Sequence, residues 1–466
     1  MTSPHKAGRP SSSTSIGWLC LAAIIVVVYF CGYAIGVIRS TNEASVDLSP
    51  TGAVQAAVAS GIAAASSVQA TGLKNILSKL EAVHALVPKW KGDTIHTLFT
   101  ADGSSYQNLQ SRMLYQTYKM VQRQPGGERL TGFTRILHRT VPDVLMDEIP
   151  TFLAYPIRPE CDTWCDYPAA NRPPAIKAFF DAVRQNESMI QGAWVFMLET
   201  DYVWMQPMQL PGSAWDPSVP GVMFMYDYIN PTWDDVAKQL TKLYAGNTSL
   251  VPRTGPSPAL LRLTDWYLLA PAFVEASHQM EKEEEMKKAL GWVREMYAWG
   301  VAVANHHRQV HYRVEDPEDS TTIIQPPFAE RLGRAALCHY TWATSRFDKP
   351  PSKNGTEVYK WDKRDWREPH QALKPQHVPL PPNFTEGQFL HFDAPLTLKN
   401  HQVTLRMMEQ MNQAIDQLPD LTEKAKQFEP TLQRLISERD AKVAAQKSQA
   451  AAGSGKVALR RLLSSS

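Results

Sequence analysis

The chain has 466 residues, 44% of them hydrophobic and 20% charged, with a formal net charge of +2. This is ordinary globular composition, long enough for one large domain or two smaller ones with extensions. The near-neutral balance, without a basic stripe interleaved with aromatics, argues against a nucleic-acid partner.

After a short N-terminal tail (1–15), Ile16 to Ile38 carries no charged residue, which is long enough for a membrane-spanning helix. Signal peptides have shorter apolar cores followed by a small-residue cleavage site, so 16–38 reads as an uncleaved anchor. Lys6 and Arg9 precede it, and Arg39, then Glu43 and Asp47, follow. The balance, blunted by Arg39, weakly favours a cytoplasmic N-terminus and a luminal body, a single-pass type II arrangement. Four acceptor sequons, at Asn186, Asn247, Asn354 and Asn383, all lie beyond the anchor. Cys161 and Cys165 stand in a Pro-rich loop and could pair in an oxidising lumen, while Cys338 reads as buried. Residues 39–90, rich in Ala and Ser, read as a stem or linker.

The body is expected over 91–420. Thr94 to Thr100 reads as a first strand, Tyr106 to Val121 as a helix and Leu130 to His138 as a second strand. Strand, helix, strand predicts a βαβ unit and hence an α/β fold with a mostly parallel sheet flanked by helices. A short third strand is expected over Thr151 to Tyr155, then a helix from Asn171-Arg-Pro-Pro174 to about Val183, with Pro in its first turn. Ala193 to Met205 is a continuous apolar run interrupted by Glu199 and Asp201, and reads as a strand buried on both faces. Val222 to Tyr226 is another strand, and 272–304 reads as one long helix. Leu337 to Thr341 is a last strand, 401–438 is helical, and the Ala/Ser-rich end from Ala444 reads as a mobile tail within a C-terminal segment 421–466.

Residues i and i+2 of a strand point to one side, so Glu199 and Asp201 would converge where theirs emerges. Open α/β sheets bind ligands just outside the carboxyl ends of their strands. A carboxylate pair there can hold a hard divalent cation, and through it phosphate. His339, in a short apolar strand pattern, is either a buried structural residue or a third ligand, since imidazole suits manganese. His306, His307 and His311 read as capping residues at a helix end. There is no Gly-rich phosphate loop and no Gly-x-Ser-x-Gly elbow.

The chain resembles the plant and green-algal hydroxyproline O-arabinosyltransferases. The resemblance lies in Gly132-Phe-Thr-Arg-Ile-Leu-His138, Met146-Asp-Glu-Ile-Pro-Thr151, Asn171-Arg-Pro173 and Gly291-Trp-Val-Arg-Glu-Met-Tyr297. It continues in Ile324-Gln-Pro-Pro327, His339-Tyr-Thr341 and Trp361-Asp-Lys-Arg364, in the same order over roughly 94–420. The family's Glu-Pro-Asp-His motif stands here as Glu199-Thr200-Asp201-Tyr202, and its Gly-Asn-Ser-Pro loop as Gly255-Pro256-Ser257-Pro258.

The resemblance implies a glycosyltransferase-A-like enzyme of the Golgi membrane, with its catalytic domain in the lumen. It would move L-arabinofuranose from a UDP-sugar to hydroxyproline in secreted or cell-wall glycoproteins, retaining the anomeric configuration. A divalent cation, Mn²⁺ by expectation, would be held by Glu199, Asp201 and His339. Thr100 and Arg112 are expected at the nucleoside, and Arg135, Asp147, Asn171, Arg172 and Ser257 at the donor. Glu295 is the candidate carboxylate beside the reacting sugar. Two alternatives stand: a peptidyl-serine O-galactosyltransferase or other UDP-sugar transferase, and a catalytically degenerate luminal binding protein.

Overall fold

The structure, a computed structural model, describes residues 92–157, 159–162 and 166–463. The expected tail, anchor and stem (1–90) and Cys165 lie outside the described residues. No helix among the described residues is long and apolar enough to cross a membrane.

Strand β1 (Ile95–Ala101) is buried along its whole length, as a strand covered on both faces must be. Helix α1 (Ser105–Gln122) begins where the Ser104 side chain accepts from the Gln107 N–H, satisfying a donor that has no partner inside the helix. β2 (Leu130–His138) runs parallel to β1, and β3 (Thr151–Ala154) parallel to β2. Helix α2 (Arg172–Gln185) carries Pro in its first turn, where the missing N–H costs nothing. It leads into β4 (Trp194–Leu198), entirely buried and parallel to β1 on the side away from β2. The expected βαβ start and parallel sheet are therefore present.

The long apolar run does not form one strand. It stops at Leu198, bends through Glu199-Thr200-Asp201, and resumes as β5 (Tyr202–Trp204) in a different sheet. The large sheet is completed by β6 (Gly221–Phe224), β7 (Ala259–Arg262) and β8 (Tyr312–Glu315), in the order β3-β2-β1-β4-β7-β6-β8. β7 runs antiparallel to both its neighbours, and the remaining pairs are parallel.

The helix expected over 272–304 is three: α3 (Leu263–Lys282), α4 (Glu284–Leu290) and α5 (Arg294–Asn305). Glu283 takes an extended backbone, and Gly291 ends α4 at φ 58°, a conformation open chiefly to glycine. After that break α5 starts as a separate helix with Glu295 in its first turn. At the far end of α5, His306 caps the helix, and the Nδ1 atoms of His306 and His307 bond the carbonyls of Ala302 and Ala304.

The small sheet pairs β5 with β10 (Leu337–His339), antiparallel, and β10 with β9 (Ile323–Ile324). A hairpin of β11 (Thr344–Phe347) and β12 (Glu357–Trp361) follows. The segment expected as one helix over 401–438 is divided into α6 (Leu398–Ile415) and α7 (Thr422–Leu463), and α7 continues as helix past Ala444. The large sheet and its helices share one core, containing Phe196, Trp266 and Trp299. A second core, with Met113, Val203, Cys338, Trp361 and Met407, joins the small sheet to α1 and α6. Glu199 and Asp201 sit on the chain crossing between the two.

Candidate active site and cation site

Two parallel strands end here and a third begins, which brings distant side chains to one point. Ligand atoms of Glu199, Asp201 and His339 all lie within 4.8 Å of one another. His339 Nε2 is 3.2 Å from Asp201 Oδ2 and 3.7 Å from Glu199 Oε2. In the antiparallel register His339 is the direct partner of Tyr202, so their side chains share a face. The two rings pack edge-on with centroids 4.3 Å apart. Tyr202 hydroxyl bonds Ser257 Oγ at 3.1 Å, and Thr200 Oγ1 donates to Gln110 Oε1 on α1. Thr200 and Tyr202 therefore hold the bend and the imidazole in place.

The residues fit a hard divalent cation. Two carboxylates and one imidazole, facing a common point, form the mixed oxygen and nitrogen set that such ions accept. His339 Nε2 faces both carboxylates but can carry only one proton, whereas a cation between them can satisfy all three.

The charges around this point are closely matched. Lys363 Nζ bonds Asp201 Oδ2. Burial pushes the Asp201 carboxyl up, but Lys363 and His339 outweigh it and hold it well below the usual carboxylate range. Lys363 shows the mirror effect, with burial lowering and Asp201 raising its ammonium to a net increase. Arg172 bonds Glu199 at 2.5 Å and approaches Glu295 to 3.7 Å. Glu295 is 3% exposed and its Oε1 has no hydrogen-bond partner. Burial, with a smaller push from Glu199 and against the pull of Arg172, raises its carboxyl to about 7. Tyr167 hydroxyl accepts from the Glu295 N–H and donates to the Trp292 carbonyl, which fixes the first turn of α5.

Arg172, Glu199, Asp201, Ser257, Glu295 and His339 all line one cleft of about 1000 Å³, open to solvent. Five other expected site residues do not. Arg112 is fully buried, and its guanidinium bonds Glu148 and the carbonyls of Ala372, Leu373 and Pro419. Arg135 is equally buried, on Asp143, Asn108 and Thr151. Both arginines join elements of the fold and have no donor facing the cleft. Thr100 is enclosed within β1. Asp147 stands largely in solvent, paired with Lys424. Asn171 is buried and accepts from the Ile157 N–H.

Sequence reasoning gave no role to Lys363, Arg364, Thr341, Trp342, Tyr167, Tyr226 or Tyr228. Lys363 and Arg364 stand inside Trp361-Asp-Lys-Arg364, and that motif was the available signal. The meeting of Lys363 with Asp201 spans 162 positions and has no spacing signature. The four sequon asparagines are all exposed. Cys161 is disulfide-bonded, and Cys338 is free and buried.

Comparison with known proteins matches residues 95–313 to the family model described as "Hydroxyproline O-arabinosyltransferase family N-terminal domain". Hydroxyproline O-arabinosyltransferase 1 of Arabidopsis thaliana is 32% identical over 291 residues, 62% of this chain and 74% of that protein. Hydroxyproline O-arabinosyltransferase PLENTY of Lotus japonicus is 32% identical over 292 residues, again 62% and 74%. Among solved structures, a glycosyltransferase involved in glycosylation of the major capsid of PBCV-1 aligns at 11% identity and a TM-score of 0.30. It covers 53% of this chain and 93% of that one.

Proposed function

We propose, since this chain belongs to the hydroxyproline O-arabinosyltransferase family, that it is a glycosyltransferase moving L-arabinofuranose from a UDP-sugar to hydroxyproline. The observation that carries this reading is the convergence of Glu199, Asp201 and His339 beside Arg172 and Glu295 in one open cleft. A divalent cation held by the three ligands, Mn²⁺ on this reading, would act as a Lewis acid on the donor diphosphate. Lys363, bonded to Asp201, and Arg364, in the cleft, add positive charge near the cation site, which would favour the growing negative charge of a leaving nucleotide. Glu295 shares Arg172 Nη1 with Glu199 and lines the same cleft, so on this reading it is the carboxylate beside the reacting sugar. Arg172 orients both acids and keeps Glu295 from ionising only at high pH.

The reading extends to a glycosyltransferase-A-like fold, retention of anomeric configuration and a single-pass Golgi-membrane location with a luminal catalytic domain. The mostly parallel sheet, with an acidic bend at the end of its central strand, supports the first. The charge-free stretch 16–38 and four exposed sequons support the last. The test is transfer by the purified chain from UDP-L-arabinofuranose to a hydroxyproline peptide, with Mn²⁺ and with chelator. Arabinosylated peptide that disappears on chelation is expected. Galactose transfer to serine peptides instead would replace the substrate assignment, and neither transfer nor donor hydrolysis would leave only a binding role.

A further inference from the structure

A second groove, of about 1450 Å³, lies against the cleft. Phe224, Ile324, Phe328 and Ala329 give it an apolar floor. Three contacts join it to the cleft. Phe224 of the groove packs on Tyr226 of the cleft, with centroids 5.0 Å apart. Gln325 of the groove donates to Thr341 of the cleft. Phe392 bridges the wall, 5.9 Å from Phe328 on one side and 5.5 Å from Trp342 on the other.

Phe392 is unusual in two ways at once. The residue is 73% exposed, and its backbone lies in the left-handed region at φ 60° and ψ 28°. Bulky side chains avoid that region, and such strain persists where surrounding structure enforces it. Here Asp393, also left-handed, accepts from the Ser352 N–H, and the flanking Phe389 bridges to Phe347. The fold holds an apolar ring out over the seam between groove and cleft. The charges of the groove also cancel: Lys399 pairs with Glu330 at 3.6 Å, and Arg331 donates to the Glu318 carbonyl.

An aromatic-edged groove without net charge suits an uncharged chain whose surface is mostly ring methylenes. Proline-rich segments in the polyproline II conformation meet that description and arrive already extended. We infer that this groove docks the acceptor polypeptide as a polyproline II segment clamped by Phe392 and Phe328, feeding one hydroxyproline past Trp342 into the cleft. The inference rests on the acceptor proposed above.

Decaproline lacks the hydroxyl that accepts a sugar, so it reports docking alone. Fluorescence anisotropy of labelled decaproline with the full chain, without donor or metal, should saturate, whereas a Gly-Ser decamer should not bind. Phe392→Gly should weaken decaproline binding by about tenfold while leaving Tm equal or higher, because glycine accepts the positive φ without strain. Phe328→Ala should weaken it further. The ratio of KM for a hydroxyproline decamer to KM for acetylhydroxyproline amide should rise in Phe392→Gly by a similar factor. No binding of decaproline by the wild-type chain, or equal binding by the wild-type and doubly substituted chains, would overturn the inference. Failure of the functional reading would appear separately, as no transfer to any hydroxyproline acceptor, because docking is measured without the reaction.

Discussion

Arg112 and Arg172 are two arginines of the same domain, both drawn out of solvent and both held by glutamates. Arg112 binds Glu148 through Nε and uses its terminal nitrogens on the backbone carbonyls of Ala372, Leu373 and Pro419. Arg172 holds Glu199 tightly and Glu295 loosely, and lines an open cleft in which Glu295 Oε1 and His339 Nδ1 have no partner. Burial and charge are shared by both regions. Partly exposed charged groups belong to the second. The Arg172 and Glu199 side chains are 20% and 24% exposed, against 0% and 7% for Arg112 and Glu148. Groups lining an open cleft are what a substrate or cation can reach.

Substitutions should separate the two regions by what they damage. The largest effect is expected from Arg112→Met, which strands Glu148 and three carbonyls. It should lower the unfolding free energy by about 3–5 kcal/mol in urea melts, the usual result of breaking a buried pair. A loss below 1 kcal/mol would mean that this cluster is not holding the fold. Asp201→Asn should act on catalysis instead. Sugar transfer should fall by about 10²–10³-fold, and Mn²⁺ affinity measured calorimetrically should fall with it. Unchanged transfer by this variant would remove the cation site from the mechanism.

Glu295 sharpens the contrast through pH. Its folded carboxyl titrates near 7 because burial disfavours the charge, above the roughly 4.3 of an unfolded glutamate. Below pH 4 both states hold the proton and the residue costs no stability. As pH rises to 7 the unfolded chain ionises first, so stability is progressively lost. Glu295→Gln should therefore be more stable than wild type by about 1–3 kcal/mol at pH 8, and equal to it near pH 4. The same variant should lose the limb near pH 7 from the kcat/KM profile. The smallest effect should come from Lys177→Ala. Its partner Asp181 is one helical turn away and both side chains are roughly 40% exposed or more, so less than about 0.5 kcal/mol should be lost.

Legibility from sequence followed the range of the interactions. β2 begins and ends where the apolar pattern changes, and α2 begins where Asn171-Arg-Pro-Pro174 predicts. The apolar periodicity over 272–304 continues past Glu283 and Gly291 and so predicts one helix, although the backbone breaks at both. Arg112 and Arg135 were assigned to the donor because a basic residue next to a strand end reads alike whether its partner is a phosphate or a buried carboxylate. Glu295, by contrast, lay on an apparently solvated helix, and only the break at Gly291 explains its burial.

By itself the sequence determined the βαβ opening, the mostly parallel sheet, the acidic pair after a buried strand and the family. Those features depend on residues a few positions apart, whose periodicity, caps and turns are local. Tertiary structure alone decided which charges share a cleft. It switched the chain from one sheet to the other at Glu199-Thr200-Asp201, set His339 opposite Tyr202, and brought Lys363 onto Asp201 from 162 positions away. Such meetings are set by the packing of two cores against each other, and no local pattern in the chain encodes them.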